Sequence, residues 1–494
     1  MGAGKSTGAR ALAAALRAEA LDSDRELEHR LGEPIEGYFD REGEAAFRAA
    51  EEELVVELLE RGGQQVIALG GGAVQSERVR EALTRHTVVH LEIETADAWR
   101  RASNKGRPLA RDRDRFEQLH GDRRALYDSV ADAVIPPADR DALRHALPFV
   151  QALREAPQGT RLVWAAAESG SYPVFFGRGL IEAGFFPPLA GRRFVVTDEN
   201  VARLQPVRGD ERIVVMPGEE RKTIHGAELV LRSLAQAGAE RGDLVVAAGG
   251  GVVGDLAGFC AAVYQRGMRH VQVPTTLVAQ VDSAYGGKTA VDLPEGKNYV
   301  GAFHQPSAVV CDPAALDTLP PEEAAAGYAE VVKTALIAGG GLWARVRQGG
   351  PVTAAEIMGC ARTKLAVVAE DERDRGRRQV LNLGHTVGHA IEAATGFARY
   401  RHGEAIGIGL LAALRLSGRD ALRSEVADLL ADRGLPLIYT GATPQVVAEV
   451  VGRDKKREGG RVPFVLVEAP GAVTPGHRVE DDALLAAIEE VHAG

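Results

Sequence analysis

Cysteine is scarce in this 494-residue chain: Cys260, Cys311 and Cys360, odd in number and far apart. That excludes a disulfide framework and a thiolate metal site, and it suits a reducing compartment, so a cytoplasmic protein is expected. No apolar run approaches the ~20 residues a membrane helix needs, and no secretory leader is read ahead of the first helical stretch. An excess of basic charge is missing too. Lys plus Arg is 59 against 69 for Asp plus Glu, a balance of −10. General binding to nucleic acid or membrane is therefore not expected, and any anion site must be a local cluster. What is present is ordinary for a globular protein, 26% charged and 45% hydrophobic. The length is too great for one hydrophobic core, so several domains are expected.

The pattern along the chain is α/β. Residues 8–20 (GARALAAALRAEA) have Ala and Leu at helical spacing. QVIALGGGAV reads as a buried strand entering a glycine turn, and HTVVHLEI as a second strand. APQGT (156–160) reads as a linker. Beyond it RRFVVTD, RIVVMPG, DLVVAAGGG and HVQVPTT alternate with helical segments, which implies a parallel sheet flanked by helices. From about Pro320 the chain reads as predominantly helical to its end. The expected divisions are residues 1–155, the linker 156–160, an α/β domain over 161–317 and a helical domain over 318–494.

The first region opens on half a phosphate loop. Gly4, Lys5, Ser6 and Thr7 match the end of G-x-x-x-x-G-K-[ST], whose backbone amides cradle phosphates at a helix start. Asp22 and Asp24 lie where a strand should end and could hold Mg²⁺ through water. Phe47-Arg48, the glycines 70–72, RPLA at Arg107 and RRALY at Arg123 complete an ordered set. Taken together the set resembles shikimate kinase. The resemblance implies a P-loop kinase-like parallel sheet that transfers phosphoryl from ATP to shikimate. Lys5 would meet the β/γ-phosphates and Ser6 the Mg²⁺, with Gly4 and Thr7 in the same loop. Asp24, Arg48, Gly71, Gly72 and Arg123 would contact the acceptor. Arg107 would sit on a lid, and Arg100 or Arg101 near adenine. In this family the loop follows a central strand, and no such strand precedes Gly4 here. Orphaned ladder groups cost about 1–3 kcal/mol each. The expectation is a poor kinase whose start falls one strand too late.

The second region carries denser signals. In DLVVAAGGGVVGDLAGF a buried strand enters Gly249-Gly250-Gly251, and Gly254-Asp255 opens a helix; such turns let amides approach a pyrophosphate. VPTTLVAQVDSAYGGKTAV and GKN follow. Glu330 and Lys333 sit three apart in YAEVVK; His385 and His389 sit four apart in NLGHTVGHAIEA, each pair on one helix face. RHGE adds His402. Two or three histidines with a carboxylate suit Zn²⁺ with room for substrate. Any one of these histidines alone reads better as a packed or capping residue. HTVGH has Thr386 where H-E-x-x-H has its glutamate, which excludes a metalloprotease base. Arg266, Lys288, Lys297, Lys333, Lys364, Arg378, Lys455 and Lys456 gather around these stretches, so an anionic substrate is expected.

Residues 160–494 resemble 3-dehydroquinate synthase nearly end to end, on GGGVVGD, YQRG, VPTTLVAQVDSAYGGKTAV, GKN, YAEVVK, NLGHTVGHAIE, HGE and RDKK. The resemblance implies Glu330, His385 and His402 as ligands of Zn²⁺ or Co²⁺, with His389 as a substrate and proton-relay residue. Asp282, Lys288, Lys297, Asn298, Lys333, Lys364, Arg378, Asn382 and Lys455 or Lys456 would surround the substrate. Arg266 would reach it from the second subunit of a homodimer. Asp198, Glu219, Lys222, Gly250, Gly251, Asp255, Thr275 and Thr276 would hold NAD. Asp374 stands where a glutamate is expected, a shortening that would weaken one polar contact.

The implied substrate is a seven-carbon keto-sugar acid phosphate, DAHP. NAD would be used catalytically, being reduced and reoxidised as phosphate leaves and the ring recloses. A metal-dependent polyol dehydrogenase of related architecture, or a synthase with an inactive N-terminal module, are the other readings.

Overall fold

The computed structural model describes residues 2–103, 112–136, 140–452 and 462–493. Arg107, Lys455 and Lys456 lie outside the described residues. Contacts divide the chain into two compact units, Met1–Ala165 and Ala166–Gly494.

In the first unit, helix α1 (Lys5–Leu16) starts from Gly4 in the left-handed conformation, φ 80°. Gly2 is left-handed as well, and a Cβ there would lie 2.7 Å from the Ala98 carbonyl, so only glycine fits this turn. Strand β1 (Glu19–Asp22) pairs in parallel with β2 (Gln65–Ala68), Glu19 opposite Gln65. Helix α2 (Ile35–Glu60) lies between them in sequence. β3 (Val89–Leu91) pairs in parallel with β4 (Ala133–Ile135), and β4 with β5 (Arg161–Ala167). Helix α3 (Arg113–Val130) precedes β4. The unit boundary falls inside β5, past the expected linker 156–160.

The sheet of this unit is split: β2 and β3 are not paired with each other. A cavity of about 900 Å³ lies between them, lined by Val66, Ile67 and Ala68 on one side, Val89 and Leu91 on the other, and Leu12 of α1. The sequence suggests a buried strand at QVIALGGGAV. Gln65, Val66 and Ile67 are only half-buried instead, because their free edge faces this cavity.

In the second unit six strands make one parallel sheet: β6 (Gly170–Phe176), β7 (Arg193–Asp198), β8 (Glu211–Val215), β9 (Leu244–Gly249), β10 (Arg269–Pro274) and, after the antiparallel hairpin β11 (Lys288–Leu293) and β12 (Gly296–Phe303), β13 (Ala308–Cys311). The order is β6-β13-β10-β9-β7-β8. Every residue of the central β9 is buried, as a near-continuous apolar run in a parallel sheet should be. Helix α4 (Gly251–Val263) follows β9 directly and buries Val253, Leu256, Ala257 and Cys260 against the sheet. Helices α5 (Pro321–Ala338), α6 (Ala354–Glu370), α7 (His385–Ala394) and α8 (His402–Leu416) build the helical part. That part is not wholly helical, because Phe464–Ala469 and Ala472–His477 form a hairpin. Among the described residues no helix is long and apolar enough to cross a membrane. All three cysteines are free and buried.

Candidate active site

Three helices converge through close backbone packing. A Cβ on Gly403 of α8 would lie 1.8 Å from the Ala326 carbonyl of α5, and one on Gly409 would lie 2.0 Å from the Gly384 carbonyl ahead of α7. Glycine at these positions lets α8 touch both neighbours. The contact brings the first residues of α7 and α8, His385 and His402, to the fully buried Glu330 of α5.

Glu330 Oε1 lies 3.5 Å from Nε2 of His385 and 3.5 Å from Nε2 of His402. Donors around one tetrahedral zinc at its usual bond lengths stand about 3.3–3.4 Å apart, so this spacing fits one ion. Oε1 is buried and accepts no hydrogen bond. The far side of each ring is fixed. His385 Nδ1 faces the Leu383 carbonyl at 3.2 Å, and His402 Nδ1 faces Glu392 Oε2 at 3.4 Å. With Nδ1 of each ring turned to its oxygen partner, both Nε2 atoms face Glu330. His389, with an exposed side chain, has a ring nitrogen within 4.8 Å of those of His385 and His402. Burial alone would raise the Glu330 carboxyl and lower the His402 imidazole. Lys333, His385 and His402 instead hold Glu330 well below the carboxylate range, and the Glu330 and Glu392 carboxylates facing its two ring nitrogens push His402 up to about 10. His385 goes the other way, held well below the imidazole range by burial and by Lys333.

Cations and carboxylates alternate away from this centre. Lys333 Nζ is 2.5 Å from Glu330 Oε2 and 3.7 Å from Asp282 Oδ2. Lys364 of α6 is 2.5 Å from Asp282 Oδ1 and donates to the Asp282 carbonyl at 2.8 Å. On the other side Lys297 of β12 is 3.1 Å from Glu392 Oε1. Lys288 reaches Asp374 Oδ2 at 2.5 Å, so the shorter carboxylate still meets a lysine. The flexible lysine stem covers the difference.

Three more of the expected substrate residues are Arg378, Arg266 and Asn382. Arg378 is buried; its guanidinium donates to the carbonyls of Glu372 and Gly286, the latter at 2.9 Å, and its Nε has no hydrogen-bond partner. Arg266 has an exposed side chain on a turn where it and Gln265 both have positive φ, 66° and 48°. Asn382 is half-buried in the turn that leads to α7.

The glycine turn after β9 presses on the loop after β10. A Cβ on Gly250 would lie 2.9 Å from Thr276 Cγ2, and one on Gly251 3.0 Å from Ser283 Oγ. Lys222 Nζ joins Glu219 at 2.9 Å, Asp255 at 3.2 Å and Asn298 at 3.0 Å. Burial pushes Asp255 up to about 6 against the pull of Lys222. Thr275 Oγ1 is buried without a hydrogen-bond partner. Thr276 Oγ1 accepts from Ala279 N at 3.2 Å, and Asp198 caps the following helix through Asn200 N and Val201 N.

In the first unit the acceptor set comes together around the glycine turn. Cβ atoms on Gly70 and Gly72 would press on Asp24 Oδ1 at 2.7 Å and Arg48 Nη1 at 1.9 Å. Arg123 of α3 donates to the Gly71 carbonyl at 3.4 Å and to Gln75 at 3.2 Å, and Tyr127 OH donates to Gly71 at 2.7 Å. Lys5, Ser6 and Thr7 form the first turn of α1. Arg100 and Arg101 are exposed. Glu51, absent from the sequence reading, is buried and ion-paired with Arg48. Its place three residues on from Arg48 was the available signal.

A parallel sheet with a glycine turn, joined to helices that gather a carboxylate and three histidines, defines an α/β protein with a candidate metal centre. The fold matches 2-deoxy-scyllo-inosose synthase, solved with carbaglucose-6-phosphate, NAD⁺ and Co²⁺, at 25% identity and TM-score 0.58 over 67% of this chain and 99% of that one. It also matches 2-epi-5-epi-valiolone synthase of Streptomyces hygroscopicus, with NAD⁺ and Zn²⁺ bound, at 24% identity and TM-score 0.59 over 66% and 98%. The family models matched are shikimate kinase over residues 1–154, 3-dehydroquinate synthase N-terminal over 212–326 and 3-dehydroquinate synthase C-terminal over 327–457. 3-Dehydroquinate synthase of Halorhodospira halophila is 42% identical over 64% of this chain and 96% of its own length; that of Nitrobacter hamburgensis is 42% identical over 63% and 90%. The chain belongs to the 3-dehydroquinate synthase family and carries a fused shikimate kinase domain.

Proposed function

We propose that residues 166–494 convert DAHP to 3-dehydroquinate and phosphate, with NAD and a divalent ion, Zn²⁺ or Co²⁺. The observation that carries this reading is Glu330 Oε1 equidistant, at 3.5 Å, from His385 Nε2 and His402 Nε2. These three residues would hold the ion, with His389 beside them for proton transfer. Glu219, Lys222, Asp255, the Gly250-Gly251 turn, Thr275 and Thr276 would hold the dinucleotide, with Asp198 at the edge of that set. When bound, NAD supplies reversible hydride exchange at one ring carbon, and the ion supplies polarisation of the hydroxyl there.

The chain's own part is to bind and orient an anion at both ends. Lys288, Lys297, Asn298, Lys333 and Lys364 supply donors, and Asp282 keeps two of the lysines in place. Arg378 and Asn382 would join them around the substrate. Arg266, on its left-handed turn, would serve the site of a second copy in a homodimer. The test is phosphate release from DAHP at NAD far below substrate concentration. A polyol dehydrogenase would accumulate NADH instead.

Residues 1–154 are read as a shikimate kinase using ATP and Mg²⁺, with Asp24, Arg48, Gly71, Gly72 and Arg123 on the acceptor. We propose weak activity for residues 1–154 taken as they stand, because β2 and β3 are not paired with each other. ATP-dependent phosphorylation of shikimate at the rate of an intact kinase domain would overturn that part.

A further inference from the structure

Glu392 lies on α7, seven residues from His385 and three from His389, in neither the metal set nor the substrate set described above. It is 2% exposed. Its two oxygens serve two different elements. Oε2 faces Nδ1 of His402 at the start of α8 at 3.4 Å, and Oε1 accepts from Lys297 Nζ on β12 at 3.1 Å. Lys297 is held from its other side by the Phe397 ring, 4.9 Å from Nζ to centroid. A buried carboxylate is retained where it is paired and hydrogen-bonded, and this one is paired twice.

We propose that Glu392 is a positioning residue that couples the metal-holding histidine to the substrate-binding lysine. By accepting the Nδ1–H of His402 it keeps Nε2 free and turned toward Glu330. By pairing with Lys297 it sets where that ammonium stands relative to the same centre. One side chain therefore fixes the distance between the ion and one anion-binding donor. Outer carboxylates on ligating histidines change metal affinity by roughly 10–100-fold when removed. The inference rests on the synthase reading above.

The test uses the full chain and three variants, with zinc affinity measured by chelator competition and steady-state kinetics run with DAHP. Glu392→Ala should weaken zinc about 10–100-fold and raise KM for DAHP. Glu392→Gln keeps an oxygen for His402 but loses the charge facing Lys297. It should hold zinc within about threefold of wild type while KM still rises several-fold, an estimate from the loss of one charged hydrogen bond. Glu392→Asp, too short for both contacts, should resemble Ala, and it stands in should the Ala variant not fold. Zinc affinity unchanged in both Ala and Asp, or equally lost in Gln and Ala, overturns the proposal. Wild-type protein that neither binds zinc nor releases phosphate would instead overturn the synthase reading.

Discussion

Lys333 and Glu330 form a fully buried ion pair, 2.5 Å from Nζ to Oε2, one helical turn apart on α5. The other oxygen of the same carboxylate faces His385 and His402. The lysine thus fixes the carboxylate that the two histidines share, and it also reaches Asp282. Breaking a buried pair by removing one partner costs about 3–5 kcal/mol. Lys333→Met should lower thermal stability by an amount of that order and weaken zinc binding, read by calorimetry and chelator competition. A variant as stable as wild type would show that the pair is not buried as described.

Gly403 offers a steric test. Adding one methyl places it 1.8 Å from the Ala326 carbonyl. Overpacking costs about 1–3 kcal/mol, and the backbone of α8 must move away from α5. Gly403→Ala should therefore lose stability and zinc affinity together, although it removes no polar group. Loss of stability with zinc affinity intact would detach the ligand geometry from this contact.

Asp282 gives a pH dependence with a definite sign. Burial would raise its carboxyl, but Lys333 and Lys364 prevail and hold it at about 2, below its ordinary 3.8. A carboxyl depressed on folding stabilises above its unfolded value, and that contribution disappears as pH falls through the folded one. The stability gap between wild type and Asp282→Asn should be constant above about pH 5 and narrow below about pH 4. Melting temperatures of the two proteins across that range decide it. A gap that widens in acid contradicts the assignment.

Much of the site was legible because helical spacing puts Glu330 beside Lys333 and His385 beside His389 on single faces. The glycine turn after DLVVAAG was legible for the same local reason. What was not legible depends on contacts far apart in sequence. Glu392 meets Lys297 across 95 residues. Arg378 reads as an anion binder, and the two carbonyls its guanidinium also meets are set by the fold of the loop. The strand at Gln65–Ala68 reads as buried, since sequence shows an apolar run and not whether its edge has a neighbour.

That edge gives a test of the first unit. A cavity of about 900 Å³ between β2 and β3 has room for one further parallel strand. Fusing an apolar strand of about five residues that ends in glycine ahead of Gly2 should raise both the melting temperature of this unit and ATP-dependent shikimate phosphorylation. No change in either would show that the gap is not what limits it.

The central claim is that Glu330, His385 and His402 hold one divalent ion beside the reacting substrate. Phosphate release from DAHP, measured alongside bound zinc in wild type and His385→Ala, tests it most directly. Wild type should release phosphate with NAD present only in catalytic amounts and carry one zinc per chain. The variant should lose both. Full phosphate release by a variant free of bound metal would contradict the account.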